Sequence, residues 1–318
     1  MRRVVAMADV AVAVDSPAGW SAAVELLFGG CRPASASAPS RIELAITGAA
    51  PERPRRRPDV SYPDHVDLWF EPEALVVFDR LGVGAVSRAG RIASGGEGDD
   101  RSWRLVVQYA LVHALGLLGR HALHAAAVAR DGRALLAVGE AGAGKSTLAY
   151  AAWMHGWQVL TDDLAWLWLD DASPTGVRLA GFPKPLAVPG ELLGDAPNGA
   201  AAMAGDPRRR WLLPFDAVSA GDPLPLVGVL ELGHGLSRAA LHPVASGAPL
   251  LPTILRYNPL VESAAVVRRL FPVAAAVSRL PALRLEHDPD PTVRADRTAA
   301  LLDEALDRFV GGVVAPPQ

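Results

Sequence analysis

Apolar positions fall into short runs and longer periodic stretches. The short runs predict strands at 3–14, 41–47, 66–70, 74–78, 121–129, 133–138, 158–161, 164–169, 176–180 and 226–231. In 41–47, Ile42, Leu44 and Ile46 alternate with polar neighbours, the signature of a half-buried strand. Helical spacing predicts four helices. One covers 16–28, with Ser16 as N-cap, Pro17 in the first turn and Gly29-Gly30 beyond its end. A second covers 101–118, with Trp103, Val106, Val107, Ala110, Leu111, Ala114 and Leu117 on one face. The third covers 145–155 and ends at Gly156. The last covers 296–310, with Leu301, Leu302, Ala305, Leu306 and Phe309 together.

Turn and loop signals separate these elements. Asp131-Gly132 predicts a hairpin. The segment 51–59, PERPRRRPD, carries too many prolines for a sheet interior and reads as a solvated loop. The polar segment 94–100 and the Gly-, Ala- and Pro-rich segment 195–207 read as loops too. The order of elements predicts an α/β protein. Residues 1–118 are expected to form a smaller N-terminal α+β domain, and 119–318 a second, larger domain.

Composition removes several function classes. The 318 residues are 50% hydrophobic and 20% charged, with net charge −3, so no global basic footprint invites nucleic acid. The single cysteine, Cys31, excludes an internal disulfide and any multi-cysteine metal site. Asp9 interrupts the apolar N-terminal stretch, and the apolar core of 105–118 is shorter than the ~20 residues a bilayer requires. The expectation is a cytoplasmic protein with no membrane partner, compatible with a homo-oligomer. Of 31 basic residues only Lys145 and Lys184 are lysine, which marks both for tasks a compact ammonium performs and a guanidinium cannot.

Lys145 sits in the one motif that carries chemistry. Gly139, Gly142, Gly144, Lys145, Ser146 and Thr147 belong to GEAGAGKST, a full G-x-x-x-x-G-K-[ST] phosphate loop between a predicted strand and a predicted helix. The glycines let successive N–H groups turn toward phosphate, and the helix start adds positive potential. Lys145 is expected on the β and γ phosphates, Ser146 on Mg²⁺ and Thr147 near the α-phosphate. Asp162-Asp163 ends the first strand after this helix, where one carboxylate can serve as base and the other can help hold the metal. No N-K-x-D, H-R-D or D-F-G element accompanies them.

Residues 123–163 resemble the catalytic core of the HPr kinase/phosphorylase family. The match is closer still to the HPr-kinase-like proteins of lasso-peptide and other bacterial peptide natural-product clusters. His124, Gly139, Lys145, Gly156 and Asp162 fall in that family's order and spacing, and GFPKPLAV at 181–188 resembles a proline-rich stretch of the related kinases. The resemblance implies a C-terminal P-loop kinase domain of the type shared with phosphoenolpyruvate carboxykinases. It further implies ATP, Mg²⁺ and a protein or peptide substrate bearing a serine or threonine hydroxyl, including a ribosomal precursor peptide. By the same resemblance His124 is the active-site histidine, Asp162 the general base and Asp163 its acidic neighbour near the metal. The chain departs from the HPr kinases proper in having Val177 before Arg178 and Ala125 after His124. Reverse phosphorylase activity is therefore not implied.

Lys184, stiffened by Pro183 and Pro185, and the run Arg208, Arg209 and Arg210 are candidates for substrate contact. His113 and His121 read as packing residues, His155 as a helix-dipole partner, and Trp166 and Trp168 as core. The leading reading is an ATP-dependent kinase. The alternative is a P-loop ATPase or nucleotide-dependent regulatory switch acting on a protein partner.

Overall fold

Ala8 and Asp9 adopt left-handed backbone angles, φ 50° and 62°. They fold the first apolar run back on itself, so the single strand expected at 3–14 is a hairpin of β1 (Arg2–Met7) and β2 (Val10–Asp15). The computed structural model describes residues 2–17, 21–34, 41–62, 66–193, 200–202, 210–213, 218, 222–234, 238–244 and 250–311. These residues form a mixed α/β structure. The chain makes two units, one of Met1–Ala122 with Pro259–Leu270, the other of Leu123–Asn258 with Phe271–Gln318. The expected division at 118/119 left 259–270 with the second domain. Within the first unit Tyr62 donates a 2.6 Å hydrogen bond to Glu262, which ties that segment in.

The first unit is built on one eight-stranded sheet. After β2 come α1 (Ser21–Phe28), β3 (Arg41–Thr47), β4 (Val60–Ser61), β5 (Val66–Glu71), β6 (Ala74–Asp79), β7 (Gly84–Arg88), β8 (Arg91–Gly95) and α2 (Asp100–Leu117). The sheet order is β1-β2-β3-β8-β7-β6-β5-β4, parallel only at β2–β3 and β3–β8. Ser16 and Pro17 precede α1, and residues 18–20 between them and the helix lie outside the described residues. In α2 the cap is Asp99, which accepts from the Ser102 N–H at 2.7 Å, and Trp103, Val106, Val107, Ala110, Leu111 and Ala114 are buried against the sheet as their spacing predicted. The arginine-rich loop is more structural than expected. Arg53 stacks on Trp69 and Phe78, and Arg56 bonds Asp59, Glu71 and the Phe70 carbonyl. Cys31 is buried and free, its thiol pushed up to about 12 by burial.

The second unit holds a mixed sheet. Its strands are the end of β9 (His121–His124), β10 (Ala126–Arg130), β11 (Arg133–Val138), β12 (Gln158–Thr161), β13 (Leu164–Leu169) and β14 (Val177–Gly181). A small separate sheet comprises β15 (Ala187–Pro189), β16 (Ala201–Ala202) and β17 (Arg210–Leu212). Then come β18 (Leu224–His234), β19 (Ala240–Pro243) and β20 (Ala282–His287). The helices are α3 (Lys145–Met154), α4 (Leu250–Arg256), α5 (Ala264–Ser278), which begins in the first unit, and α6 (Pro291–Val310). Asp131 and Gly132, φ 52° and 71°, make the expected hairpin of β10 and β11. The long β18 runs parallel to both β11 and β20 and forms the middle of the sheet. Helices α3 and α6 pack together over it, burying Leu148, Trp157, Val159, Leu283, Leu302 and Leu306 in one core. The last helix starts at Pro291, five residues earlier than its apolar face suggested, because its first turns are polar and half exposed.

Among the described residues no helix is long and apolar enough to cross a membrane.

Candidate functional site

The sequence that joins β11 to α3 is forced into a tight path by its glycines. Gly142 and Gly144 have φ 88° and 101°, and a Cβ on Gly144 would run into the His287 ring. Gly144 is the N-cap of α3 and has no capping side chain, so the first helical N–H groups are left for other partners. His287 closes β20 and is fixed from behind by a 3.0 Å contact between Nδ1 and Thr298 Oγ1. It supports the loop from below. No local pattern points to it, since 232–295 carries no predicted element.

Lys145 opens α3 and is buried. Its Nζ donates to the carbonyls of Gly139 at 2.7 Å and Glu140 at 3.2 Å, so it is folded back along the loop. Burial lowers its pKa, and the carboxylates of Asp163 and Asp162 pull it back up. Glu140 is joined through its side chain to Arg256. Thr147 is buried in the first turn of the helix.

Asp162 and Asp163 sit in the turn between β12 and β13. Buried Thr161 shapes that turn, its hydroxyl accepting the N–H groups of Asp163 and Leu164, both at 3.2 Å. Ser146 Oγ donates to Asp162 Oδ2 at 2.9 Å. The other oxygen, Asp162 Oδ1, is buried and accepts no hydrogen bond, with the Lys184 ammonium 3.4 Å away. Asp163 Oδ1 lies 2.9 Å from His124 Nδ1, and its Oδ2 lies 3.2 Å from Lys184 Nζ. Burial raises the Asp163 pKa, but Lys184 and His124 outweigh it and hold the group far below the usual carboxylate range. His124 is placed by backbone bonds. Its N–H donates to the Tyr257 carbonyl at 2.7 Å, and the next N–H, of Ala125, donates to the Asp163 carbonyl at 3.1 Å.

Lys184 reaches the pair because β14 ends against β12. Gly181 has no side chain where its Cα meets the Leu160 carbonyl, and the Phe182 N–H donates to the Leu164 carbonyl at 2.9 Å. Any larger residue at 181 would push the Pro183-Lys184-Pro185 segment away from the aspartates.

These groups enclose a cavity of about 200 Å³, lined by His124, Gly142, Gly144, Lys145, Ser146, Thr147, Asp162, Asp163, Lys184 and Arg210 among others. Both lysines of the chain therefore line one cavity. Gly139 is not among the lining residues, and a Cβ there would press on Ala143 and Leu232. Of the arginine run only Arg210 belongs to the described residues; Arg208 and Arg209 lie outside them. Arg178 is engaged elsewhere, with Asp170 at 2.8 Å and the Pro223 carbonyl at 3.2 Å.

Three cations, Lys145, Lys184 and Arg210, and two carboxylates line this cavity, a balance that suits a polyanion. Among the described residues no three or more His, Cys, Asp or Glu side chains gather into a self-sufficient cation site. Two carboxylates and the Ser146 hydroxyl are a set that holds Mg²⁺ when phosphate oxygens and water complete the shell. The buried, hydrogen-bond-free Asp162 Oδ1 fits that use.

No protein-family model matches the chain, and no curated protein matches its sequence.

Proposed function

We propose that the second unit is an ATP-dependent phosphotransferase of the HPr-kinase-like type, which moves the γ-phosphoryl group to a serine or threonine hydroxyl of a protein or peptide. The observation that carries this reading is the convergence of the chain's two lysines with Ser146 and the aspartate pair around one cavity at the start of α3. A glycine-rich turn with no ligand would not require a buried ammonium in a chain that otherwise uses arginine.

In this reading the loop N–H groups and the start of α3 hold the phosphates, and Lys145 leaves the Gly139 and Glu140 carbonyls to contact the β and γ oxygens. Ser146 and Asp162, already hydrogen-bonded to each other, would hold Mg²⁺, which when bound neutralises charge on the phosphates. Asp163 faces the acceptor. It is ionised and paired with His124, accepts the hydrogen bond of the incoming hydroxyl and takes its proton as the oxygen–phosphorus bond forms. The bond from the γ-phosphorus to the β–γ bridging oxygen breaks, and ADP leaves with that oxygen. His124 orients Asp163 and is a positioning residue. The hydrogen bond to Ser146 favours giving Asp162 to the metal and Asp163 to the acceptor, the reverse of the division the family resemblance implies.

The test is mass spectrometry of serine-containing peptides incubated with the protein and Mg·ATP. Transfer adds about 80 Da, one phosphoryl group, to the peptide. ADP formed with no peptide gaining that mass would favour the alternative of an ATPase or nucleotide-dependent switch.

A further inference from the structure

Lys184 lines the cavity with its ammonium held against both carboxylates. Its Nζ is 3.4 Å from Asp162 Oδ1 and 3.2 Å from Asp163 Oδ2, and its side chain is only 17% exposed. Asp162 Oδ1 accepts no hydrogen bond there, so the ammonium meets that oxygen by charge alone. A divalent cation held by Ser146 and Asp162 would draw on the same carboxylate. The ammonium and the metal thus compete for one carboxylate.

We infer that Lys184 is the built-in counter-cation of this site, and that it closes the aspartate pair to free divalent cations until a nucleotide brings phosphates to take the ammonium over. The inference rests on the phosphotransferase reading and adds the order of events within it. Three observations support it. The backbone that carries Lys184 is fixed by Pro183, Pro185, the Gly181 contact and the Phe182 hydrogen bond, so only the side chain can move. In the nucleotide-free chain Lys145 does not take this place, because its Nζ is bound to two loop carbonyls while that of Lys184 lies against both aspartates. Residue choice agrees: every basic residue other than Lys145 and Lys184 is arginine. A guanidinium would lock onto the carboxylates through its fixed fork, whereas an ammonium on a four-carbon stem can swing from carboxylate to phosphate.

The experiment is Mn²⁺ binding to the full chain without nucleotide, read from the electron paramagnetic resonance signal of free Mn²⁺. Wild type should bind weakly. Lys184→Met, with the stem kept and the charge removed, should bind about tenfold tighter or better, since two carboxylates that have lost their shared ammonium attract the ion. Lys184→Arg should stay as weak as wild type. Adding Asp162→Asn to Lys184→Met should remove the gain, and circular dichroism verifies that each variant is folded. A Lys184→Met protein that is folded and binds Mn²⁺ no tighter than wild type overturns the inference, as does one that binds none. ATP binding to the same wild-type protein separates the two levels. Wild type that binds no ATP contradicts the phosphotransferase reading, whatever the Mn²⁺ data show. Wild type that binds ATP, with unchanged Mn²⁺ affinity in Lys184→Met, overturns the counter-cation alone.

Discussion

Ser146 Oγ donates a 2.9 Å hydrogen bond to Asp162 Oδ2, joining the first turn of α3 to the turn after β12. That bond distinguishes two adjacent aspartates that the sequence leaves equivalent. Asp162 shares its surroundings with the helix start, while Asp163 pairs with His124 at 2.9 Å. Asp162→Asn should therefore weaken Mg·ATP binding by about tenfold or more while leaving metal-free ATP binding unchanged. Asp163→Asn should keep Mg·ATP affinity within a few fold and lower phosphoryl transfer by about 100-fold or more. Calorimetry with and without Mg²⁺, set beside single-turnover rates, reads both. The opposite pattern would give Asp162 the base role.

Lys145→Arg should fail nearly as completely as Lys145→Ala. The buried Nζ fits between two loop carbonyls at 2.7 and 3.2 Å, a space cut for an ammonium. A planar fork there would displace the loop, so turnover should fall about 100-fold or more. An arginine variant at near-wild-type rate would contradict the role given to Lys145.

Gly144 has φ 101° and no room for a Cβ because the His287 ring occupies that space. Gly144→Ala should lower stability by about 1–3 kcal/mol and abolish ATP binding. Combining it with His287→Ala should recover the part due to the clash and leave the backbone strain. Urea midpoints of the single and double variants measure the two contributions. A double variant no more stable than expected from adding the singles would separate His287 from the loop.

His113 and His121 are buried in the first unit, and burial, with Arg269 adding to it, pulls both from 6.5 to about 4. The folded chain then holds them neutral while the unfolded chain takes up protons below 6.5. Stability should therefore fall as pH drops from about 6.5 to about 4, by up to about 1.4 kcal/mol per pH unit for each histidine, and be insensitive to them above that window. Denaturant midpoints at a series of pH values test this. His113→Gln should flatten the slope, and an unchanged slope would show that His113 is not one of the groups responsible.

The elements that carry the candidate site were more legible than the fold around them. Gly144, Lys145 and Ser146 announce themselves as a glycine-led turn from strand to helix, and Asp131-Gly132 does so because few dipeptides accept its backbone angles. The Ala8–Asp9 turn did not, since alanine seldom takes φ 50° and the run reads as one strand. Strands β7 and β8 were hidden by serine and glycine, and α5 by Pro272 within it. His287 could not be foreseen either: it reaches the loop only because β18 brings β20 and β11 to its two sides. The Lys184 partnership depends on Gly181 meeting Leu160, a contact between strands that no local pattern encodes.

The central claim, that the γ-phosphate of ATP lies among Lys145, Lys184 and the aspartate pair, can be read directly because the chain has only two lysines. An acyl-phosphate derivative of ATP transfers its acyl group to any lysine beside the terminal phosphates, and peptide mapping by mass spectrometry identifies which one. The account predicts acylation of Lys145, Lys184 or both, blocked by excess Mg·ATP and lost from Lys145 in the Gly144→Ala protein. Absence of labelling at both lysines, or labelling that Mg·ATP does not suppress, would contradict it.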